Sequence, residues 1–177
     1  MANKEALREL QQRLADRMLQ VKSVANSAAW LAVEVAGQGF LLPLVDSGEI
    51  FSLAAPTPVP HTAAWYRGVV SLRGNLYGVI DLGVFLGMKP AGAPLPLNDD
   101  QVRLVTFNAA LNVNSAVLVD RLAGLRRADQ LTLEAGPAPE TQPLFAGNQY
   151  RDESQRLWQE LRLHQLIRNE HFLRIEA

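Results

Sequence analysis

Between residues 3 and 22, in "NKEALRELQQRLADRMLQVK", Leu7, Leu10, Leu14, Met18 and Val21 recur at spacings of three and four. That spacing predicts a helix with one apolar stripe and otherwise polar faces. Asn3 suits the N-cap, Glu5 suits the first turn, and Glu9 with Arg13 makes an i,i+4 pair. Such a stripe lies on its own protein's body or against a partner, and the first is the commoner arrangement. From Ala29 the period shortens to two. "AWLAVEV" sets Leu31, Val33 and Val35 against Glu34, and "QGFLLPLV" follows a turn expected at Gly37–Gly39, which predicts a hairpin. Further short runs follow: "EIFSL", "YRGVVSL", "LYGVIDL", "VRLVTF", "SAVLVD" and "LWQELRL". Many short strands punctuated by Gly and Pro predict an all-β barrel or sandwich rather than a parallel sheet. Pro56, Pro58 and Pro60 enforce an extended segment, residues 89–100 and 134–143 read as loops, and "LRLHQLIRNEHFLRI" reads as a short helical turn and a last strand or tail.

A weak internal duplication runs through this pattern. "LVDSGEI" (44–50) resembles "LVDRLAGL" (118–125), and "LYGVIDLGVFLG" (76–87) can be laid on "LWQELRLHQLIR" (157–168). The second alignment matches Tyr77, Ile80, Leu82 and Leu86 with Trp158, Leu161, Leu163 and Ile167. Two similar β units, each too small to be robust alone, are expected to share strands or a core. The expected division is an N-terminal helix and linker over residues 1–28, then a β domain of two subdomains over 29–177.

Composition narrows the chemistry. The chain has 177 residues, a formal charge of −1 and 20% charged residues, so it carries no general attraction for nucleic acid or an anionic membrane. With 0 cysteines it has no disulfide, thiolate metal site or cysteine nucleophile. The N-terminus lacks a signal-peptide core and no apolar run is long enough to span a bilayer, so a cytoplasmic protein is expected. His61 sits in the proline segment, and His164 and His171 have no evident third ligand, so no metal is expected. Asp99 and Asp100 form a loop pair with no matching base. "VAGQGFLL" has Leu42 where a dinucleotide fingerprint needs glycine and leads into a strand, so the phosphate-cradling reading fails. No cofactor and no catalysis are expected.

The stretch "WYRGVVSLRGNLYGVIDL" (65–82) closely resembles the signature of CheW-like chemotaxis coupling proteins, with Gly68, Leu72, Arg73, Gly74, Val79, Ile80, Asp81 and Leu82 in the characteristic places. "WLAVEVAGQGFLLPLVDSGEI" is similar to the family's opening strands, where Glu49–Ile50 match an acidic–apolar pair. "RLVTF…SAVLVDRLAGLRRADQLTLEAGPAP" is similar to its second half, so the resemblance covers about Ala29 to about Ile167. The leading helix and the "EHFLRI" tail look most like the variant of type IV pilus (twitching motility) chemosensory systems. Ser71 stands where the family usually has Asn, and residues 108–119 and 146–163 are diverged.

The resemblance implies two intertwined five-stranded SH3-like β barrels around a shared core. It implies a non-catalytic adaptor between the cytoplasmic tip of a methyl-accepting chemoreceptor and a CheA-type histidine kinase, held at membrane-bound receptor arrays through those partners. It also implies a receptor-facing groove between the subdomains, with Glu49, Gly68, Arg73 and Gly74 on one half and Leu122 and Leu125 on the other. From the residues alone, Arg73 is as well explained by a bond to Glu49 or Asp81 of its own chain. A regulatory β domain, or a small-molecule binder or enzyme using the groove, remains the alternative; a deep pocket with convergent ionisable groups would favour the last.

Overall fold

The computed structural model describes residues 29–134 and 142–177. The expected N-terminal helix and most of the 134–143 loop lie outside them. The hairpin of β1 (Ala29–Val35) and β2 (Gln38–Pro43) forms as its alternation requires, with Trp30 opposite Pro43 and Val35 opposite Gln38. Its turn is Ala36–Gly37 rather than Gly37–Gly39, at φ of 48° and 79°, the two positive values of a I′ hairpin turn. β3 (Ser47–Ser52) follows, and then β4 (Tyr66–Leu72), β5 (Asn75–Asp81) and a helical turn at Leu82–Phe85. The second half brings β6 (Arg103–Phe107), β7 (Ser115–Val119), β8 (Arg121–Arg127), β9 (Leu131–Leu133), β10 (Ala146–Asp152) and β11 (Leu157–Leu161). Two helical turns, Leu163–Leu166 and Glu170–Leu173, close the chain where one turn and a last strand or tail were expected.

These strands make one sheet in the order β8-β1-β2-β11-β10-β9 and another in the order β3-β6-β7-β5-β4. All pairings are antiparallel except β2–β11 and β5–β7. Replacing β1, β2, β3, β4 and β5 by β6, β7, β8, β10 and β11 turns one pairing scheme into the other, with the short β9 as an addition to the second half. The protein is therefore two five-strand sets, each combining two strands from the opening of one half with three from the close of the other. The duplication read from the sequence follows this symmetry. Tyr77 and Trp158 point into their respective barrels, and Ile80 and Leu161, and Leu82 and Leu163, enter the shared core, with Leu86 and Ile167 packed against it.

That shared core lies between the sheets and joins Leu31, Val33, Leu42, Val105, Val117 and Leu161 to an aromatic group of Trp65, Phe85, Phe107 and Phe172. Phe172, on the last helical turn, stacks against Trp65 with ring centroids 6.0 Å apart and against Phe107 at 6.1 Å. Each sheet also curls around its own interior. The β3–β7 sheet encloses aliphatic residues such as Val70, Val79, Leu104 and Leu118, whereas the other encloses Trp30, Leu41 and Trp158. Trp30 and Trp158 satisfy their indole N–H groups on Glu160 (3.0 Å) and Asp152 (2.9 Å), which answers the cost of burying them.

The proline segment covers the free edge of β4. Thr57, between two prolines that lack N–H groups, exchanges backbone hydrogen bonds with Val69 at 2.8 and 2.9 Å. Among the described residues no helix is long and apolar enough to cross a membrane, and no group of three or more His, Asp or Glu side chains is placed to hold a metal ion.

Candidate partner-binding surface

Most of the signature stretch works inside the protein. Trp65 is buried in the aromatic group. Arg67 is the extra residue where the β4–β5 register shifts, and the bulge turns its guanidinium onto Asp81 at 2.8 Å and onto the Ala93 carbonyl at 2.6 Å. Asp81 is buried and also caps the following helical turn by accepting from the Val84 N–H at 3.2 Å. Asp81 is thus already paired and is not the partner of Arg73.

Gly68 sits at φ 114° where β4 meets the proline segment, and a Cβ there would lie 2.1 Å from the Thr57 carbonyl oxygen. The close approach expected of Gly68 is real, but its neighbour is the protein's own backbone. Gly74 differs. It forms, with Arg73, the two-residue turn between β4 and β5, at φ of 82° and 48°, and a Cβ there would meet nothing within 4 Å. The turn holds Arg73 away from the sheet, with its side chain 73% exposed.

Arg73 does reach its own chain. Its Nη1 lies 2.7 Å from Glu49 Oε2, and its guanidinium carbon lies 5.6 Å from the Phe51 ring centroid. Both contacts are on β3, so the β4–β5 turn folds over the opposite edge of the sheet. Glu49 is placed by a second bulge, because Ser47 opposes Phe107 while Ile50 opposes Val105, leaving one extra residue on β3. Thr106, buried beneath it, pins the bulge: its hydroxyl accepts from the Glu49 N–H at 2.8 Å and donates to the Glu49 carbonyl at 3.1 Å. Gly48 leaves room for that hydroxyl, since a Cβ would approach it to 2.5 Å. Sequence reasoning passed over Thr106, and a lone Thr in an apolar strand gives no signal for this task.

Ile50 points the other way, toward the shared core, as its opposition to Val105 requires. Leu125 opposes Leu31 and Leu122 opposes Val33, so both lie on the inter-sheet side of β8, while Leu44 lies in the turn after β2. Leu122 packs against the core, whereas Leu44, Ile50 and Leu125 are 42%, 42% and 60% exposed. Val45 is exposed as well. Leu44, Val45, Ile50 and Leu125 are thus exposed apolar residues, and the exposed Glu49–Arg73 pair sits on β3 next to Ile50. Of the expected residues, Glu49 and Arg73 come into contact with Gly74 alongside, Leu122 packs against the shared core, Leu125 is exposed on β8, and Gly68 is withdrawn into the fold.

A separate cavity of about 690 Å³ opens elsewhere on the core, against Phe40, Phe85, Phe145 and Leu161, with Gln149 and His171 at its lining. Among the described residues that line it, His171 is the one ionisable group.

The strand-exchanged pair of barrels and the signature hairpin define the class: the chain belongs to the CheW-like domain family, whose model matches residues 29–171. Protein PilI of Pseudomonas aeruginosa is 26% identical over 164 residues, spanning 91% of this chain and 87% of that protein. A probable chemotaxis protein CheW of Rhizobium etli is 38% identical over 61 residues, 34% of this chain and 39% of that one. The crystal structure of the scaffolding protein TtCheW from Thermoanaerobacter tengcongensis superposes with a TM-score of 0.65 at 18% identity, over 82% of this chain and 95% of that chain, a likeness of fold.

Proposed function

We propose that this protein is a non-catalytic adaptor that joins the cytoplasmic tip of a methyl-accepting chemoreceptor to a CheA-type histidine kinase, in a chemosensory system that controls type IV pili. Family membership and the similarity to PilI along 91% of the chain support the pathway. The observation that carries the role is the exposed Glu49–Arg73 pair on β3, with Leu44, Ile50 and Leu125 among the large apolar residues left exposed. A partner helix docking here would bury apolar residues against exposed side chains such as Ile50, while Arg73 offers its fork of donors to a carboxylate or helix-end carbonyl. The internal pair is largely exposed, and such pairs are worth about 0–1 kcal/mol, so exchanging Glu49 for a partner's acceptor costs little. A cytoplasmic location follows from the same reading, since both partners act there.

The test is co-purification of wild-type and Arg73→Ala full-length protein with receptor and kinase. Loss of charge-assisted hydrogen bonds of about 1.5–3 kcal/mol predicts receptor binding weaker by about 10-fold to 100-fold with an unchanged melting profile. Unchanged association of a normally folded Arg73→Ala protein with both partners overturns the role assigned to this surface.

A further inference from the structure

We propose that the cavity of about 690 Å³ beside Phe85 and His171 binds an uncharged, planar heterocycle of the lactam type, carrying a ring N–H and a carbonyl and no phosphate. The inference is independent of the Glu49–Arg73 surface, which contributes no residue to this cavity. The volume lies within the roughly 300–1,000 Å³ of sites that enclose small organic ligands. Both halves of the chain build it, with Phe40 and Phe85 from the first and Phe145 and Leu161 from the second. The Phe85 ring lies 5.9 Å from Phe145 and 5.0 Å from the His171 ring, centroid to centroid. Walls made of rings favour a flat aromatic body.

Charge is what the lining lacks. Among its described residues there is no Lys, Arg, Asp or Glu, and His171 is the one ionisable group. A carboxylate or phosphate entering here loses hydration with no guanidinium or ammonium to replace it. The other polar side chains are carboxamides, and the fold orients two of them. Gln159 donates its amide N–H groups to the Gly147 carbonyl at 2.9 Å and the Glu160 carbonyl at 3.0 Å. Its oxygen is therefore the end that accepts from Gln149 Nε2, at 3.0 Å. That bond leaves the Gln149 carbonyl oxygen as an acceptor without a partner among the described residues. Asn169 is set the opposite way. Its Oδ1 accepts from the His171 N–H at 3.0 Å as the cap of the last turn, which leaves its NH2 group as a donor. An acceptor on β10 and a donor on the last turn, both at the lining of a ring-walled cavity, match a neutral ring that offers an N–H and a C=O.

Trp65 reports on this site. Its ring lies 5.2 Å from Phe85 and 5.8 Å from His171, and its indole N–H is buried without a partner among the described residues. Trp30 and Trp158 lie inside the six-stranded sheet instead, with their indole N–H groups bonded to Glu160 and Asp152. The chain has 3 tryptophans, so the indole N–H resonances of isotope-labelled full-length protein separate the cavity from the rest of the fold.

The probes are carbostyril, a bicyclic lactam, its N-methyl derivative, which has the same body and no donor, and inosine beside inosine monophosphate. Carbostyril and inosine are expected to shift the Trp65 resonance saturably and to raise the melting temperature, with Trp30 and Trp158 unmoved. N-methylcarbostyril is expected to bind about tenfold more weakly or worse, because the Gln149 acceptor then goes unpaired. Gln149→Leu removes that acceptor from an exposed strand position, so it is expected to fold normally and to bring the two carbostyrils within about twofold of each other. No saturable Trp65 shift with either carbostyril or inosine overturns the proposal. Equal binding of the two carbostyrils by the wild type, or inosine monophosphate binding as tightly as inosine, overturns the ligand chemistry. A Trp65 shift produced only by receptor or kinase overturns it as well, and makes the cavity a protein contact.

Discussion

Gly68 and Gly74 lie in one hairpin and answer to different constraints. A side chain at Gly68 collides with the Thr57 carbonyl at 2.1 Å and must also accept φ 114°, so Gly68→Ala lifts the proline segment off β4. The expected loss is about 2–4 kcal/mol in urea denaturation, with any loss of binding following from unfolding. Gly74 has open space around it, so Gly74→Ala carries only the strain of a positive φ, about 1 kcal/mol. Gly74→Asp adds a carboxylate beside Arg73, where it competes with both Glu49 and a partner's acceptor. Receptor affinity is therefore expected to fall more with Asp than with Ala at comparable stability, and equal affinities of the two folded variants would make Gly74 a turn residue only. Thr106→Val keeps the shape but removes both hydrogen bonds to the Glu49 backbone. It is expected to cost about 1–3 kcal/mol and to weaken receptor binding through a displaced Glu49, which a structure of the variant would show directly.

At the scale of elements, β1 is tied to its neighbours by Glu34, which accepts from Arg121 of β8 at 2.6 Å and from Arg156 of the β10–β11 turn at 2.5 Å. Burial alone would raise the Glu34 pKa, but the hydrogen bonds and charges of the two arginines outweigh it and hold the carboxyl below its ordinary value of 4.5. A carboxyl depressed by folding contributes stability that is complete above the unfolded value and disappears as pH falls through the lower folded one. The stability difference between wild type and Glu34→Gln is thus expected to be largest near neutrality and to shrink below about pH 4.5 in urea melts run across acid pH. A difference independent of pH would remove Glu34 as the titrating clasp. This tie, like the Arg67–Asp81 pair, joins residues far apart in the chain or displaced by a bulge, and no local pattern announces it. Strand alternation, the Arg73–Gly74 turn and the spacing of proline and glycine were legible because each is set by nearest neighbours. The opening turn was misplaced by one residue because Ala36 takes a positive φ that alanine does not advertise. The exposure of Leu44, Ile50 and Leu125 was only partly legible, since alternation marks all inward residues alike and only the packed structure shows which ones stay exposed.

For the whole molecule, the exchange of strands makes neither half self-sufficient. β1 and β2 complete their sheet only with β8 and β11, and β6 and β7 complete theirs only with β3 and β5. The shared core is built the same way, with Leu31 and Leu42 from the first half meeting Val105, Val117 and Leu161 from the second. A break in the exposed loop between Asp99 and Asp100 divides the chain between β5 and β6 without cutting a strand. Each fragment keeps a hairpin of its own, yet each has open strand edges and half of an apolar core, which is too little to offset the entropy of ordering it. Each fragment alone is therefore expected to show no cooperative unfolding transition and no slowly exchanging amides, whereas equimolar mixing restores both. Because the proposed partner-binding residues Glu49, Arg73 and Gly74 belong to the first fragment while Leu122 and Leu125 belong to the second, partner binding should return only with the mixture. A first fragment that unfolds cooperatively or binds receptor by itself would show that the two barrels are separable units.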